Sequence, residues 1–274
     1  MKTQLFVIDY ASRSDWFTFY FFGDKHNGTI FCHTTGINKI TREIKQDPHA
    51  YYFEMGDPCE FIAPDDPRFE KHAIAPWINK DRIILSQAEY EINQSRPISH
   101  KCIGRHRGNH EGKYSLRYQE DIHAYICEKL KVTDLTVSAF TRIVFRRSLA
   151  GSTQSWQFDV VTKHPWKGCL QTPGSRANKI TKNLNNFDAD VIAIGHYHDI
   201  QWKQKLKAIR LDNRLRTKSD VQYGCMTGCW FKGYQEGDVS SYVEEADYDP
   251  TVIGCPFVRV KPDMGYIEKG DRTF

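Results

Sequence analysis

Seven side chains of metal-binding type, Asp24, His26, Asp57, Asn109, His164, His196 and His198, each follow closely on a short run of β-forming residues. All offer an oxygen or an imidazole nitrogen and none a thiolate. Such a donor set suits borderline divalent cations such as Mn²⁺, Fe²⁺ or Zn²⁺ better than an iron–sulfur cluster. Seven donors exceed what one tetrahedral ion takes and suit two ions sharing a bridging carboxylate, an arrangement that activates water. Taken one at a time the residues have plainer readings. Asp24 and His26 equally cap a following helix, Asn109 equally makes a turn after Gly108, and His196 and His198 equally are polar residues at a strand end.

The elements that must position them are legible in outline. Residues 17–22 precede Gly23-Asp24-Lys25-His26, and residues 50–55 precede Gly56-Asp57-Pro58. Residues 100–103, weaker as a strand, lead through a basic stretch to Gly108-Asn109-His110-Glu111. Residues 157–162 precede Lys163-His164-Pro165, and residues 190–194 precede Gly195-His196-Tyr197-His198. Strands feeding such loops present them at one sheet edge, where α/β folds bind ligands. Segments 34–46, 81–94 and 118–130 lean helical between the strands, and 175–186, opened by Gly174 and Ser175, makes a fourth helix. This alternation predicts an α/β protein. Beyond Thr217 the pattern turns to strands and turns, as at 258–260 and 265–267, which complete a second sheet. No repeat or linker divides the chain, so residues 1–274 are read as one domain. The stretch 58–107, with Pro64, Pro67, Pro76 and Pro97, is long for a connection and is read as an insertion or lid beside the site.

Composition sets the frame. The chain has 274 residues, a formal charge of +4, 40% hydrophobic and 26% charged residues, which is ordinary for a soluble globular protein. A core of this size folds without metal or disulfides, so a metal would serve chemistry. No run approaches the ~20 apolar residues of a membrane span, and Asp9 interrupts the N-terminal segment where a signal peptide would stay apolar. The expected location is the cytoplasm, with no membrane partner. The eight cysteines are scattered and expected to be reduced. Cys225 and Cys229 stand four apart but lack a second pair to complete a zinc site. An excess of four positive charges is too small for a nucleic-acid coat protein and comfortable with an anionic substrate.

In this order the motifs resemble those of the calcineurin-like metallophosphoesterases: Asp24-Lys25-His26 for Asp-x-His, Gly56-Asp57 for Gly-Asp, Gly108-Asn109-His110-Glu111 for Gly-Asn-His-Asp/Glu, an isolated His164, and Gly195-His196-Tyr197-His198 for Gly-His-x-His. The resemblance spans positions 24 to 198. It implies a four-layer αββα sandwich of two mixed sheets flanked by helices. It implies one ion on Asp24, His26, Asp57 and His198 and a second on Asp57, Asn109, His164 and His196, Mn²⁺ being the first expectation and Fe or Zn²⁺ the others. Two carboxylates against two divalent ions leave the cluster near +2 and attractive to a phosphate ester. Ions roughly 3.5–4 Å apart lower the pKa of a bridging water and polarise the phosphoryl oxygens, so that hydroxide is the nucleophile. His110, which in the family points at the substrate, would protonate the leaving oxygen, with Glu111 orienting its ring and raising its pKa. Two further features bear on the pocket. His164 is followed by Pro165 and Trp166 rather than Gly, which fixes the backbone and is expected to narrow the site, and the run 168–179 resembles the loop and helix start of small phage-type members.

Function within this fold lives in the pocket walls. Lys203, Lys205, Lys207, Arg210, Arg214, Arg216 and Lys218 crowd a stretch with Asp212 alone against them. They read as a track for a polyanion or as a charged edge strand that resists aggregation. The first reading favours hydrolysis of a phosphodiester in a nucleotide or nucleic acid. The alternatives are a phosphomonoesterase acting on a protein or small molecule, and a catalytically idle binding scaffold. His106 and Arg107, next to Gly108, belong either to a phosphate pocket or to a solvated edge. His33, His49, His72, His100 and His123 are assigned structural or surface roles, Trp230 to the core, and Tyr197 to packing or substrate contact.

Overall fold

The computed structural model describes residues 1–149, 152–168 and 172–274. The chain opens with strands β1 (Lys2–Tyr10) and β2 (Phe17–Phe22), and every residue of β2 is buried, which requires both faces of its sheet to be covered. Helix α1 (Thr34–Gln46) buries Ile37, Ile40 and Ile44 on one face, and His33 Nδ1 caps its start by accepting the Gly36 N–H at 3.2 Å. Then follow β3 (Ala50–Glu54), α2 (Ile83–Ser95), β4 (Cys102–Arg105), α3 (Asn109–Tyr118) and α4 (Ile122–Leu130). The long antiparallel pair β5 (Ser138–Leu149) and β6 (Ser152–Lys163) comes next, and α5 (Pro173–Asn186) begins at a reciprocal Thr172–Ser175 cap with proline in its first turn. The remainder is β7 (Val191–Ile194), β8 (Ile200–Leu206), the small ribbon β9 (Arg210–Leu211) and β10 (Thr217–Lys218), then β11 (Val221–Thr227), the single turn α6 (Tyr242–Glu245), β12 (Gly254–Lys261) and β13 (Tyr266–Thr273).

Two mixed sheets result, one ordered β1-β5-β6-β7-β11-β8 and the other β13-β12-β2-β3-β4. Phe19, Phe21 and Phe53 of the second pack with Phe145, Phe158 and Val160 of the first in one apolar layer. Outside the second sheet, the isoleucines of α1 cover Tyr20 and Tyr52; outside the first, Ile180 and Leu184 of α5 cover Val161 and Ile192. The layers therefore run helix, sheet, sheet, helix, the αββα sandwich expected. The second sheet is indeed completed by the C-terminal strands, while β11 joins the first.

Two expectations about elements need correction. The helix read at 118–130 is α4, beginning at Ile122, and a separate helix, α3, starts at Asn109 inside the motif itself. Its sequence NHEGKYSLRY buries only Asn109, Glu111 and Gly112, so no apolar stripe marked it. Strands β1 and β5 were not read either; β1 is an edge strand whose only fully buried residue is Ile8. Residues 169–171, with Cys169 and part of the 168–179 run, lie outside the described residues. Among those described, no helix is long and apolar enough to cross a membrane.

Candidate metal centre

The loops after β2, β3, β4, β6 and β7 meet at one edge of the sandwich. Asp24 N–H donates to Gly56 O at 2.8 Å, His26 N–H to Asp57 O at 3.2 Å, and His196 N–H to the Asp24 carboxylate at 3.2 Å. The ring nitrogens then converge. His26 Nε2 and His198 Nε2 lie 3.0 Å apart with Asp24 Oδ1 3.4 Å from the latter. His164 Nε2 lies 3.2 Å from both Asp57 Oδ2 and Asn109 Oδ1, and His196 stands edge-on to its ring. Asp24, His26 and His198 form one group able to hold an ion, and Asp57, His164 and His196 another, with ligand atoms within 4.8 Å of one another in each. All seven residues of the sequence reading are thus brought together.

The donor atoms are oriented from behind. Met55 O can only accept, so the 2.6 Å contact fixes the proton of His164 on Nδ1 and leaves Nε2 for the cluster. His26 Nδ1 lies 3.0 Å from Glu60 Oε1, an ion pair when the ring is protonated, and Tyr242 Oη lies 3.3 Å from His198 Nδ1. Glu60 was missed by sequence reasoning; its position three residues past Asp57 was the only signal. Backbone strain marks the same loops. Asp24, His26, Asp57, His196 and His198 all have positive φ, between 48° and 81°, a region that non-glycine residues enter at a cost of order 1–3 kcal/mol each. In Asp24-Lys25-His26 and His196-Tyr197-His198 it recurs at alternate positions, which turns both ligand side chains of each motif into the same space.

Close approach leaves no room for side chains elsewhere. A Cβ on Gly108 would stand 2.0 Å from Asp57 Oδ1 and 2.3 Å from Asp57 N, and Gly56, at φ +95°, packs against the His164 ring. Gly108→Ala should therefore displace Asp57, cost about 1–3 kcal/mol in chemical unfolding, and weaken metal uptake; an unchanged metal titration would contradict this.

Electrostatics fit cations. Burial pushes Asp57 up, but His164, His110 and His26 more than offset it and hold the carboxyl well below its ordinary value; Asp24 is likewise lowered against burial by His164 and His198. Burial disfavours charge on His26 and His164, yet Glu60 beside the one and Asp57 and Asp24 beside the other raise them to about 9 and about 10. Burial, aided by His164, lowers His196 to about 4. A metal needs Nε2 unprotonated, so loading must expel the protons of His26 and His164, and affinity should climb with pH by about tenfold per unit, up to about pH 9 for the ion on His26 and about pH 10 for the ion on His164. Calorimetry in buffers of different ionisation enthalpy counts the released protons; a pH-independent affinity would contradict the sign.

Several assignments change. The Glu111 carboxylate does not orient His110: it is wholly buried 3.8 Å from His123 Nδ1, because α3 turns consecutive side chains about 100° apart. The group that holds His110 is Glu60, whose main-chain oxygen accepts from Nδ1 at 2.5 Å and whose carboxylate lies 3.8 Å away, while the His110 N–H donates to Asp57 Oδ1 at 2.9 Å. His106 is buried between Thr136 O and Thr162 Oγ1, and Arg107 pairs with Asp121 at 2.5 Å, so neither lines the phosphate pocket. No cysteine joins a candidate metal group among the described residues. Trp230 is core, as read. The basic stretch does not approach the metal loops: Lys207 pairs with Asp188 and Asp190, Arg210 and Lys218 with Asp220, and Arg216 with Asp212, on and beyond the edge strand β8.

No protein-family model and no curated protein matches the sequence. Solved structures that match include a predicted phosphoesterase from Streptococcus pneumoniae TIGR4 (11% identity, 95% of this chain and 99% of that one, TM-score 0.35). Wild-type Vps29 complexed with Zn²⁺ from Entamoeba histolytica also matches (10%, 93% and 98%, TM-score 0.37). A third is a metallophosphoesterase from Sphaerobacter thermophilus (11%, 93% and 87%, TM-score 0.41). These are remote likenesses.

Over the metal groups opens a cleft of about 1180 Å³. His110, Asn109 and His196 form part of its floor, and Trp166, whose Nε1 donates to Arg107 O at 3.1 Å, stands in its wall with Phe69, Tyr197 and Tyr248.

Proposed function

We propose that the chain is a phosphoesterase dependent on two divalent metal ions, Mn²⁺ before Fe or Zn²⁺, that hydrolyses a phosphodiester. The observation that carries this reading is the convergence of six donors into two groups, with Asn109 Oδ1 beside His164, and the turning of His164 by Met55 O and of His26 by Glu60 to present Nε2. Asp24, His26, Asp57 and His198 would hold one ion and Asp57, Asn109, His164 and His196 the other. Bound there, the ions supply Lewis acidity and a water of lowered pKa. Asp57 is held in place between the two groups, one of its oxygens facing His164 Nε2 while the other accepts the His110 N–H. His110 turns Nε2 toward the cleft, its Nδ1 proton being fixed on Glu60 O, and as the doubly protonated ring it would donate from Nε2 to the leaving oxygen.

The size of the cleft, about 1180 Å³, supports a diester, because it exceeds what a lone phosphate fills, and its aromatic lining suits a nucleotide. Residues 58–107 supply one wall, Ile62 and Phe69 among it, within a single domain. The seven described cysteines are free and buried, which suits the reducing cytoplasm. The test is hydrolysis of a chromogenic phosphodiester beside the matching monoester by Mn²⁺-loaded protein, with chelated protein as blank. Diester cleavage lost on chelation supports the reading. Monoester cleavage alone would move it to a phosphomonoesterase, and no cleavage with metal bound would leave a binding scaffold.

A further inference from the structure

The charges on the cleft wall are unevenly placed. Arg68 is tied to Asp66 by two hydrogen bonds of 3.0 and 2.8 Å, and Arg176 to Asp199 at 3.1 Å, so each of these cations has a carboxylate counter-charge, while Arg176 Nε keeps no hydrogen-bond partner among the described residues. Lys113, three residues past His110 on α3 and hence on its face, is the wall cation without an ion-pair partner among the described residues. Across the opening, the exposed carboxylates of Glu245, Asp247 and Asp249 line the same cleft, and no cation pairs with them among the described residues. They are held in place: Tyr242, at the head of α6, reaches His198 Nδ1 at 3.3 Å and packs on Phe231 at 4.9 Å, and Ser241 Oγ caps the turn from Val243 and Glu244 at 3.2 Å. The acids therefore belong to the mouth of the metal centre.

We infer that the cleft selects esters of a single phosphate whose remainder is neutral or cationic, and turns away nucleic-acid polymers; this rests on the phosphoesterase reading above. The metal groups and Lys113 attract one phosphate. A polymer would carry its flanking phosphates past three carboxylates, well within the ~10 Å over which charges act at moderate salt. Proteins that follow a nucleic-acid strand line its exit with cations. Here the cations lie on β8 to β10, away from the cleft and largely matched by aspartates. Aromatic rings beside the acids, Phe231, Tyr242 and Tyr248, accept a base or a cation equally.

The test is binding to Mn²⁺-loaded His110→Ala protein, so that turnover does not intrude, followed by calorimetry. The probes are a dinucleoside monophosphate and a single strand of about twelve nucleotides of the same bases, at about 25 and about 250 mM salt. The dinucleotide should bind more tightly at low salt, and added salt, which screens attraction to the metal groups for both probes but repulsion by the acids chiefly for the longer strand, should shift the ratio of the two affinities toward the longer strand by roughly 3- to 10-fold. The triple variant E245Q/D247N/D249N should favour the longer strand over the dinucleotide by a similar factor. A strand that binds more tightly than the dinucleotide at low salt, or a ratio that added salt or the triple variant leaves unchanged, overturns the inference, as does failure of both probes to bind. Failure of the wild-type protein to cleave a diester, with the binding pattern intact, would instead refute the activity and leave the selection standing.

Discussion

His110→Gln protein should take up both metal ions and lose turnover by about 10²–10⁴-fold. The His110 side chain is not one of the seven donors, although with His26 and Glu60 it makes a third group able to hold an ion; its ring is edge-on to His26 at 5.0 Å and its Nδ1 is held by Glu60 O. Removing the ring takes away a proton donor and leaves the ligands in place, because the main-chain N–H that braces Asp57 is kept. Metal content by atomic absorption and kcat on the same sample separate the two effects. If metal is lost in proportion to activity, His110 is part of the metal site. If the rate falls by less than tenfold, the leaving oxygen is protonated by another group.

The second large effect is on stability. Beneath the ligand loops, Lys25, Glu54, Glu91 and Arg105 are all fully buried. Glu91 accepts from Lys25 at 2.7 Å, Arg105 at 2.9 Å and Ser95 at 2.6 Å, and Glu54 lies 2.9 Å from Lys25. Burial pushes Glu54 up to about 7 despite both cations, whereas Lys25 and Arg105 overcome burial and keep Glu91 below its ordinary value. Glu91 is therefore the firmer counter-charge. Glu91→Gln would leave two buried cations facing Glu54 alone and should cost about 3–5 kcal/mol in denaturant unfolding. Adding Lys25→Met should recover part of that loss, since the remaining Arg105 and Glu54 again match in charge. A double variant as unstable as the sum of the singles would show that the carboxylate acts through packing. Because Lys25 sits between Asp24 and His26, metal affinity should fall with the single variant too.

The ligand set was legible because it is written in short motifs at strand ends, and the strands carrying it are rich in buried aromatic and β-branched residues. Glu60 was not, since a carboxylate three residues beyond a ligand has meaning only once Asp57 takes a positive φ and the chain doubles back under His26. Glu111 was misread for the converse reason: adjacency to His110 in sequence places it on another face of α3. The basic stretch misled because its partners Asp188, Asp190 and Asp220 come from neighbouring elements. Glu91 lies far from Lys25 and Glu54 in sequence, so their burial together needed the tertiary fold.

The left-handed backbone at Asp24, His26, Asp57, His196 and His198 has a consequence for how this protein would change over generations. Glycine at any of these positions would relieve the strain, so selection for stability alone would favour losing the very residues that make the centre. A lineage relieved of its chemistry should drift there first, trading ligands for glycine or asparagine while the sandwich grew more stable.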